Sequence, residues 1–168
     1  MLECGGVASN SMATTTTGMI GLGAMGLPMA RHMKNKGFEV YGIDVQEAAN
    51  ARAKAEGIKI AGSPAEIGQH AAVVVVMVVS DEQVMDVVVA SGLLDRLAKG
   101  SVVCVASSCS VDTAQELEKI GAAKGIAILD TPVVLGQEAC DNGTMTVFCG
   151  GAAEAFEKAK PVLQTFGA

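Results

Sequence analysis

The chain has 168 residues, 50% of them apolar and only 3% aromatic, with a net charge of −6 at neutral pH. That length bounds it to about one domain with a core of its own. The acidic balance, without any cluster of Lys and Arg, excludes a nucleic-acid surface. The longest apolar run, Ala71 to Val79, is nine residues, against about 20 for a helix that crosses a bilayer.

A core this poor in aromatics must be assembled from Val, Ala, Leu, Ile and Met, which suits a parallel sheet covered by helices. Five cysteines, Cys4, Cys104, Cys109, Cys140 and Cys149, show no C-x-x-C pairing. Their odd count fits reduced thiols and points to the cytoplasm. Cys104 and Cys149 read as small buried apolar residues. Residues 1–14, which include a second methionine, Met12, carry no periodicity and no basic-then-apolar leader. They read as an extension, and 15–168 as the domain.

Thr15 to Ile20 is β-prone and ends at Gly21, the first glycine of a G-x-G-x-x-G pattern completed by Gly23 and Gly26. A helix is expected from Ala24, with Met25, Met29 and Met33 recurring at i, i+4 and Gly37 as its stop. The methionine stripe is core packing rather than a metal set. Pro28 falls in the first turn or so, where the helix needs few of its N–H groups. Phe38 to Ile43 is a second strand closed by Asp44, 23 positions after Gly21.

Strand, glycine turn, helix, strand and acid together form the context that a dinucleotide-binding fingerprint requires. In that reading Gly21 permits the tight turn, Gly23 lets the backbone approach a pyrophosphate, and Gly26 lets the helix pack closely. Leu22, Ala24 and Met25 lie along the same turn, whose helix N-terminus favours phosphate. Asp44 accepts the ribose hydroxyls and repels a 2′-phosphate, so NAD is expected over NADP.

The alternation continues with a helix over Gln46 to Glu56 and a strand over Ile58 to Ala61. Ser63-Pro64 opens a short helix. Ala72 to Val79 is a β-branched run expected of a central strand buried on both faces. Ser80 to Gln83 is a capping box. Ser101 to Ala106 is a strand, Asp112 to Lys124 a helix and Ile126 to Leu129 another strand. After a loop come a strand over Met145 to Cys149 and a helix over Ala152 to Phe166, bent or broken at Pro161. The sum is an α/β, doubly wound, mostly parallel sheet of the Rossmann type. His32 and His70 sit on polar stretches and are expected to be solvated. No metal site is expected.

The stretch "IGLGAMGLPMA" resembles the signature of the β-hydroxyacid dehydrogenases, the family of 3-hydroxyisobutyrate, tartronate semialdehyde and 6-phosphogluconate dehydrogenases. The resemblance runs from Thr15 onward and is to the family's N-terminal domain. "YGIDV" and the valine-rich strand before Ser80 look most like the branch acting on four-carbon sugar acids such as threonate. The resemblance implies hydride transfer between a nicotinamide cofactor and a small hydroxy acid, or its aldehyde or ketone, by a homo-oligomer when full length.

Position by position, Val78 and Val79 stand where the family has a cofactor-touching Leu-Pro. Ser107 and Ser108 stand where it has Ser-Thr beside substrate and nicotinamide. Asp130 to Met145 aligns with the substrate loop, where Val134 and Leu135, followed by Gly136, replace the Ser-Gly that holds a carboxylate. The family's proton-transferring lysine lies on a helix beyond this domain, before an all-helical C-terminal domain that this chain lacks, so no catalytic residue is assigned. Cys109 has no neighbouring His to make it a nucleophile. Two alternatives stay open: a stand-alone dinucleotide-binding module without catalysis, and an imine reductase, which has the same fold and a different proton donor.

Overall fold

Four consecutive valines, Val73 to Val76, form the strand around which the molecule is layered. The computed structural model describes residues 15–168; the expected extension, with Cys4 and Met12, lies outside the described residues. The elements are β1 (Thr16–Ile20), α1 (Gly26–Asn35), β2 (Glu39–Ile43), α2 (Glu47–Ala55), β3 (Lys59–Ile60), α3 (Pro64–His70), β4 (Val73–Val76), α4 (Asp81–Met85), α5 (Leu93–Arg96), β5 (Val102–Val105), α6 (Val111–Lys124), β6 (Ala127–Asp130), β7 (Val133–Val134), α7 (Gly136–Asn142), β8 (Thr146–Val147) and α8 (Ala153–Leu163).

Six strands form one sheet in the order β3-β2-β1-β4-β5-β6, and each neighbouring pair is parallel. This is the dinucleotide-binding order, whose direction reverses between β1 and β4. The pleat of β4 sends alternate valines to opposite faces. Val73 and Val75 join Met29, Met33, Leu129 and Phe166 on one side. Val74 and Val76 join Ile67, Val84, Leu93 and Leu117 on the other. Helices α1, α2, α7 and α8 therefore cover the first face and α3 to α6 the second, as a doubly wound sheet requires.

Several expectations need correction. The β4 run stops at Val76; the Met77 N–H still donates to the Ile20 carbonyl at 2.8 Å, and Val78 and Val79 leave the sheet. Met145 to Cys149 does not join the main sheet; Thr146 and Val147 pair antiparallel with Val133 and Val134 as a separate two-stranded sheet. The expected loop before it holds α7, closed by Gly143 at φ 68°. Helix α8 passes through Pro161 to Leu163 instead of breaking there. After α4 the chain continues as a π-helical turn, Asp86–Ala90, and then α5. Cys104 is fully buried, but Cys149 is exposed, beside the Gly150–Gly151 turn.

His32 is not simply solvated. Its ring Nε2 lies 3.0 Å from both the Cys140 and Asp141 carbonyls, at the C-terminal end of α7, and so helps dock that helix on α1. His70 is exposed, with its ring stacked on Tyr41 at 4.6 Å. Among the described residues no helix is long and apolar enough to cross a membrane.

Candidate functional site

The reversal between β1 and β4 opens a crevice at the carboxyl ends of the strands, and the glycine turn sits there. Gly21 has φ 91°, a region that favours glycine, and donates its N–H to the Ile43 carbonyl at 2.9 Å. A Cβ at Gly21 would lie 2.0 Å from the Met77 carbonyl oxygen, and one at Gly26 would lie 1.9 Å from that of Gly21. The fold itself requires both. Gly23 differs: a Cβ there would meet nothing within 4 Å. Its emptiness faces outward, into space a ligand can use.

Helix α1 begins at Gly26 rather than Ala24, and Met25 caps it without a side-chain hydrogen bond. Among the described residues the N–H groups of Gly23, Ala24, Met25 and Gly26 have no intramolecular acceptor. They form an uncompensated, partly positive end suited to an anion.

Asp44 closes the site on the β2 side. Its Oδ2 accepts the Leu22 N–H at 2.7 Å and its Oδ1 accepts the Gln46 N–H at 2.8 Å. Asn50 fixes its backbone in turn, accepting the Asp44 N–H and donating to the Asp44 carbonyl, both at 2.9 Å. The carboxylate is thus aimed beside the glycine turn, with further lone pairs left to accept from a ligand. Asn50 was not singled out by the sequence; an asparagine six residues after an acid carries no recognisable signal.

The loops after β4 and β5 form the other side. Ser107 is buried, and its Oγ accepts the Val78 N–H at 2.8 Å. Ser108 is exposed, Val78 is half-buried and Val79 is 91% exposed. The Val79 N–H is taken by the Gln83 side chain at 2.9 Å, while Ser80 Oγ accepts the Gln83 N–H at 3.3 Å. The Ser80 half of the capping box is in its usual register, while the Gln83 half reaches the N–H one residue before the cap.

Val134, Leu135 and Gly136 lie after β6, at the same edge of the sheet. Leu135 is the one described non-glycine residue with positive φ, 84°. It is exposed, as are Val134 and Phe148. Val134 pairs with Thr146, and just past β8 the Phe148 N–H donates to the Pro132 carbonyl at 3.0 Å; no sequence signal singled out Phe148. Helix α7 rests on the glycine turn, its Cys140 thiol donating to the Met25 carbonyl at 3.2 Å. Burial pushes that thiol up to about 11. Burial, with Asp81 and Asp130 nearby, also raises the Cys109 thiol, so neither is an activated nucleophile.

A cavity of about 200 Å³ opens elsewhere, between α6 and the ends of β5 and β6, lined by Cys109, Ala114 and Asp130 among others. No group of three or more metal-ligating side chains occurs among the described residues.

Residues 16–168 match the family model described as the NAD binding domain of 6-phosphogluconate dehydrogenase. The chain is 35% identical over 167 residues to mitochondrial 3-hydroxyisobutyrate dehydrogenase of Mus musculus, covering 96% of this chain and 49% of that protein. The chain belongs to the β-hydroxyacid dehydrogenase family. Within that family it is also 34% identical to L-threonate dehydrogenase of Haemophilus influenzae, over 89% of this chain and 50% of that one. The crystal structure of 3-hydroxyisobutyrate dehydrogenase from Salmonella typhimurium superposes with a TM-score of 0.86 at 34% identity, covering 92% of this chain and 54% of that one. The chain spans about half the length of the curated relatives it matches. It is an NAD-binding domain of this family of oxidoreductases, and the open flank of Gly23, the free N–H groups and the oriented Asp44 all fit that cofactor.

Proposed function

We propose that this chain forms the cofactor half of a dehydrogenase that takes hydride from a small β-hydroxy acid, or returns it to the matching aldehyde or ketone. The observation that carries the reading is Asp44, oriented by Leu22 beside an open glycine turn at the reversal of the sheet. Asp44 accepts both hydroxyls of the adenosine ribose, and its charge disfavours a 2′-phosphate, so NAD is bound in preference to NADP. Gly23, Ala24, Met25 and Gly26 hold the pyrophosphate through backbone N–H groups. When bound, the nicotinamide supplies the hydride acceptor or donor.

The remaining residues shape the other half of the site. Val78, Val79 and Ser108 flank the cofactor from the loops after β4 and β5. Ser107, buried against Val78, orders that flank and reaches substrate only through its hydroxyl proton. Val134 and Leu135 present apolar surface where the family's serine and glycine hold a carboxylate, so the substrate turns an apolar or larger group toward them. Gly136 offers a backbone N–H beside them. No side chain in the 168 residues is assigned the proton transfer, which belongs to the family's lysine. The protein acts as a homo-oligomer in a reducing, cytoplasmic setting; the lack of any paired cysteine motif supports the compartment.

The test is a titration of the chain with NADH and an assay with NAD and short hydroxy acids. Binding without turnover is expected, since general acid–base catalysis alone supplies about 10²–10⁴-fold. Efficient turnover by these residues alone would overturn the assignment.

A further inference from the structure

Asp81, the first residue of α4, reaches across to the next βα unit. Its Oδ2 accepts three hydrogen bonds, from Ser110 Oγ at 2.6 Å, Thr113 Oγ1 at 2.7 Å and the Ser110 N–H at 3.1 Å. Ser110 is the N-cap of α6 and also accepts the Thr113 N–H. One carboxylate oxygen therefore ties the start of α4 to the start of α6. Two residues before Ser80, the Val78 N–H is held by Ser107 at 2.8 Å. The loops after β4 and β5 are thus joined twice, on either side of the segment that carries Val79 and Ser108.

Val79 has neither a proline's fixed φ nor its missing backbone donor. Valine leaves both free, and the chain answers with Gln83 on the Val79 N–H at 2.9 Å and Asp81 on α6. Asp44 places the adenosine ribose at β2 and the free N–H groups place the pyrophosphate at α1, so the nicotinamide half must extend over β4 and β5. We infer that Asp81 is a positioning residue for the nicotinamide half of the bound cofactor, acting through Ser110 and Thr113 on the loop that carries Ser107 and Ser108. This rests on the NAD placement proposed above. The adenosine half, held on the far side of β1, does not depend on it.

Two ligands separate the halves: NADH, and ADP-ribose, which lacks nicotinamide. With Asp81→Ala the affinity for NADH should fall by roughly threefold to tenfold, less than a buried charge-assisted hydrogen bond would give, because the site is partly exposed. ADP-ribose should bind within about twofold of wild type, inside the ordinary scatter of surface substitutions. Asp81→Asn, which keeps one acceptor oxygen, should recover part of the loss. Thr113→Val removes one of the three bonds to Asp81, along with the contact Thr113 accepts from Ser110 Oγ; it should shift the same ratio less, and it serves if Asp81→Ala fails to fold. Unchanged NADH affinity in these variants would overturn the inference. So would an equal loss for both ligands, which is the mark of a purely structural role. Failure of the wild-type chain to bind either ligand would instead overturn the cofactor reading itself.

Discussion

The Leu22 N–H donates to the Asp44 carboxylate at 2.7 Å, linking the first turn of the glycine motif to the acid at the end of β2. The bond sets the direction of the side chain before any ligand arrives. Asp44→Ala removes this orientation together with the carboxylate proposed to accept from the ribose. Hydrogen bonds to a charged group are worth about 1.5–3 kcal/mol, so NADH affinity should fall by roughly 10- to 150-fold. NADPH affinity should fall far less, because that cofactor gains relief from repulsion. Fluorescence titration of both cofactors checks this; a parallel loss for the two would show that Asp44 does not face the ribose.

The three motif glycines should respond differently to alanine. Gly21→Ala and Gly26→Ala drive a methyl group into carbonyl oxygens at 2.0 and 1.9 Å, and each should destabilise the fold by at least about 1–3 kcal/mol. Gly23→Ala meets no protein atom within 4 Å, so stability should stay within about 0.5 kcal/mol. NADH binding by that variant should nevertheless weaken on the order of tenfold, about 1.4 kcal/mol. Thermal unfolding together with NADH titration separates the cases, and a Gly23→Ala protein that binds normally would move the pyrophosphate elsewhere.

Much of this site was legible in the sequence, and the missed parts share a cause. The glycine turn, β1, β2 and Asp44 were readable because each obeys a local rule: a β-prone run, a fixed glycine spacing, an acid after a strand. The run Ala72 to Val79 read as a strand buried on both faces, and its central part, Val73 to Val76, is one. Helix α7 did not, because its seven residues, Gly136–Asn142, are held by contacts more than 100 residues away, from His32 and the Met25 carbonyl. Its one local signal was Gly143, a glycine able to end a helix in a left-handed conformation. The β7–β8 pair is too short for alternation to register, and Cys149 lies just past it, before the Gly150 bridge to Asp130.

Leu135 at φ 84° keeps an L-residue in a conformation costing about 1–2 kcal/mol. Leu135→Gly should therefore stabilise the chain by about 0.5–1 kcal/mol, after the extra entropy that glycine loses on folding. That is roughly a 1–4 °C rise in Tm for a domain of this size. In a full-length protein carrying this domain, Val134→Ser with Leu135→Gly should raise kcat/KM on short hydroxy acids. A wild type already efficient on those acids, without gain from the double change, would remove this loop from substrate selection.

Arg31 and Glu56 form a two-bond ion pair at 2.6 and 3.1 Å between α1 and the end of α2. The Arg31 guanidinium holds the Glu56 carboxyl below its ordinary value of 4.5. A depressed acid contributes stability that is complete above the unfolded pKa and is lost as pH falls through the folded one. With Glu56 and Arg31 side chains 31% and 40% exposed, the contribution is about 0.5 kcal/mol. Glu56→Gln should lower stability by that amount at neutral pH and have no effect once the pH is well below 4.5. Denaturant unfolding at the two pH values checks the sign; an equal penalty at both would show that packing, not charge, is what Glu56 supplies.

The most direct measurement is calorimetric titration of the wild-type chain with NADH and, separately, NADPH at moderate salt. The oriented Asp44, the open flank of Gly23 and the free N–H groups of α1 predict one NADH bound per chain and clearly weaker binding of NADPH. Equal or tighter binding of NADPH, or no binding of either, would contradict the assignment of this crevice to NAD.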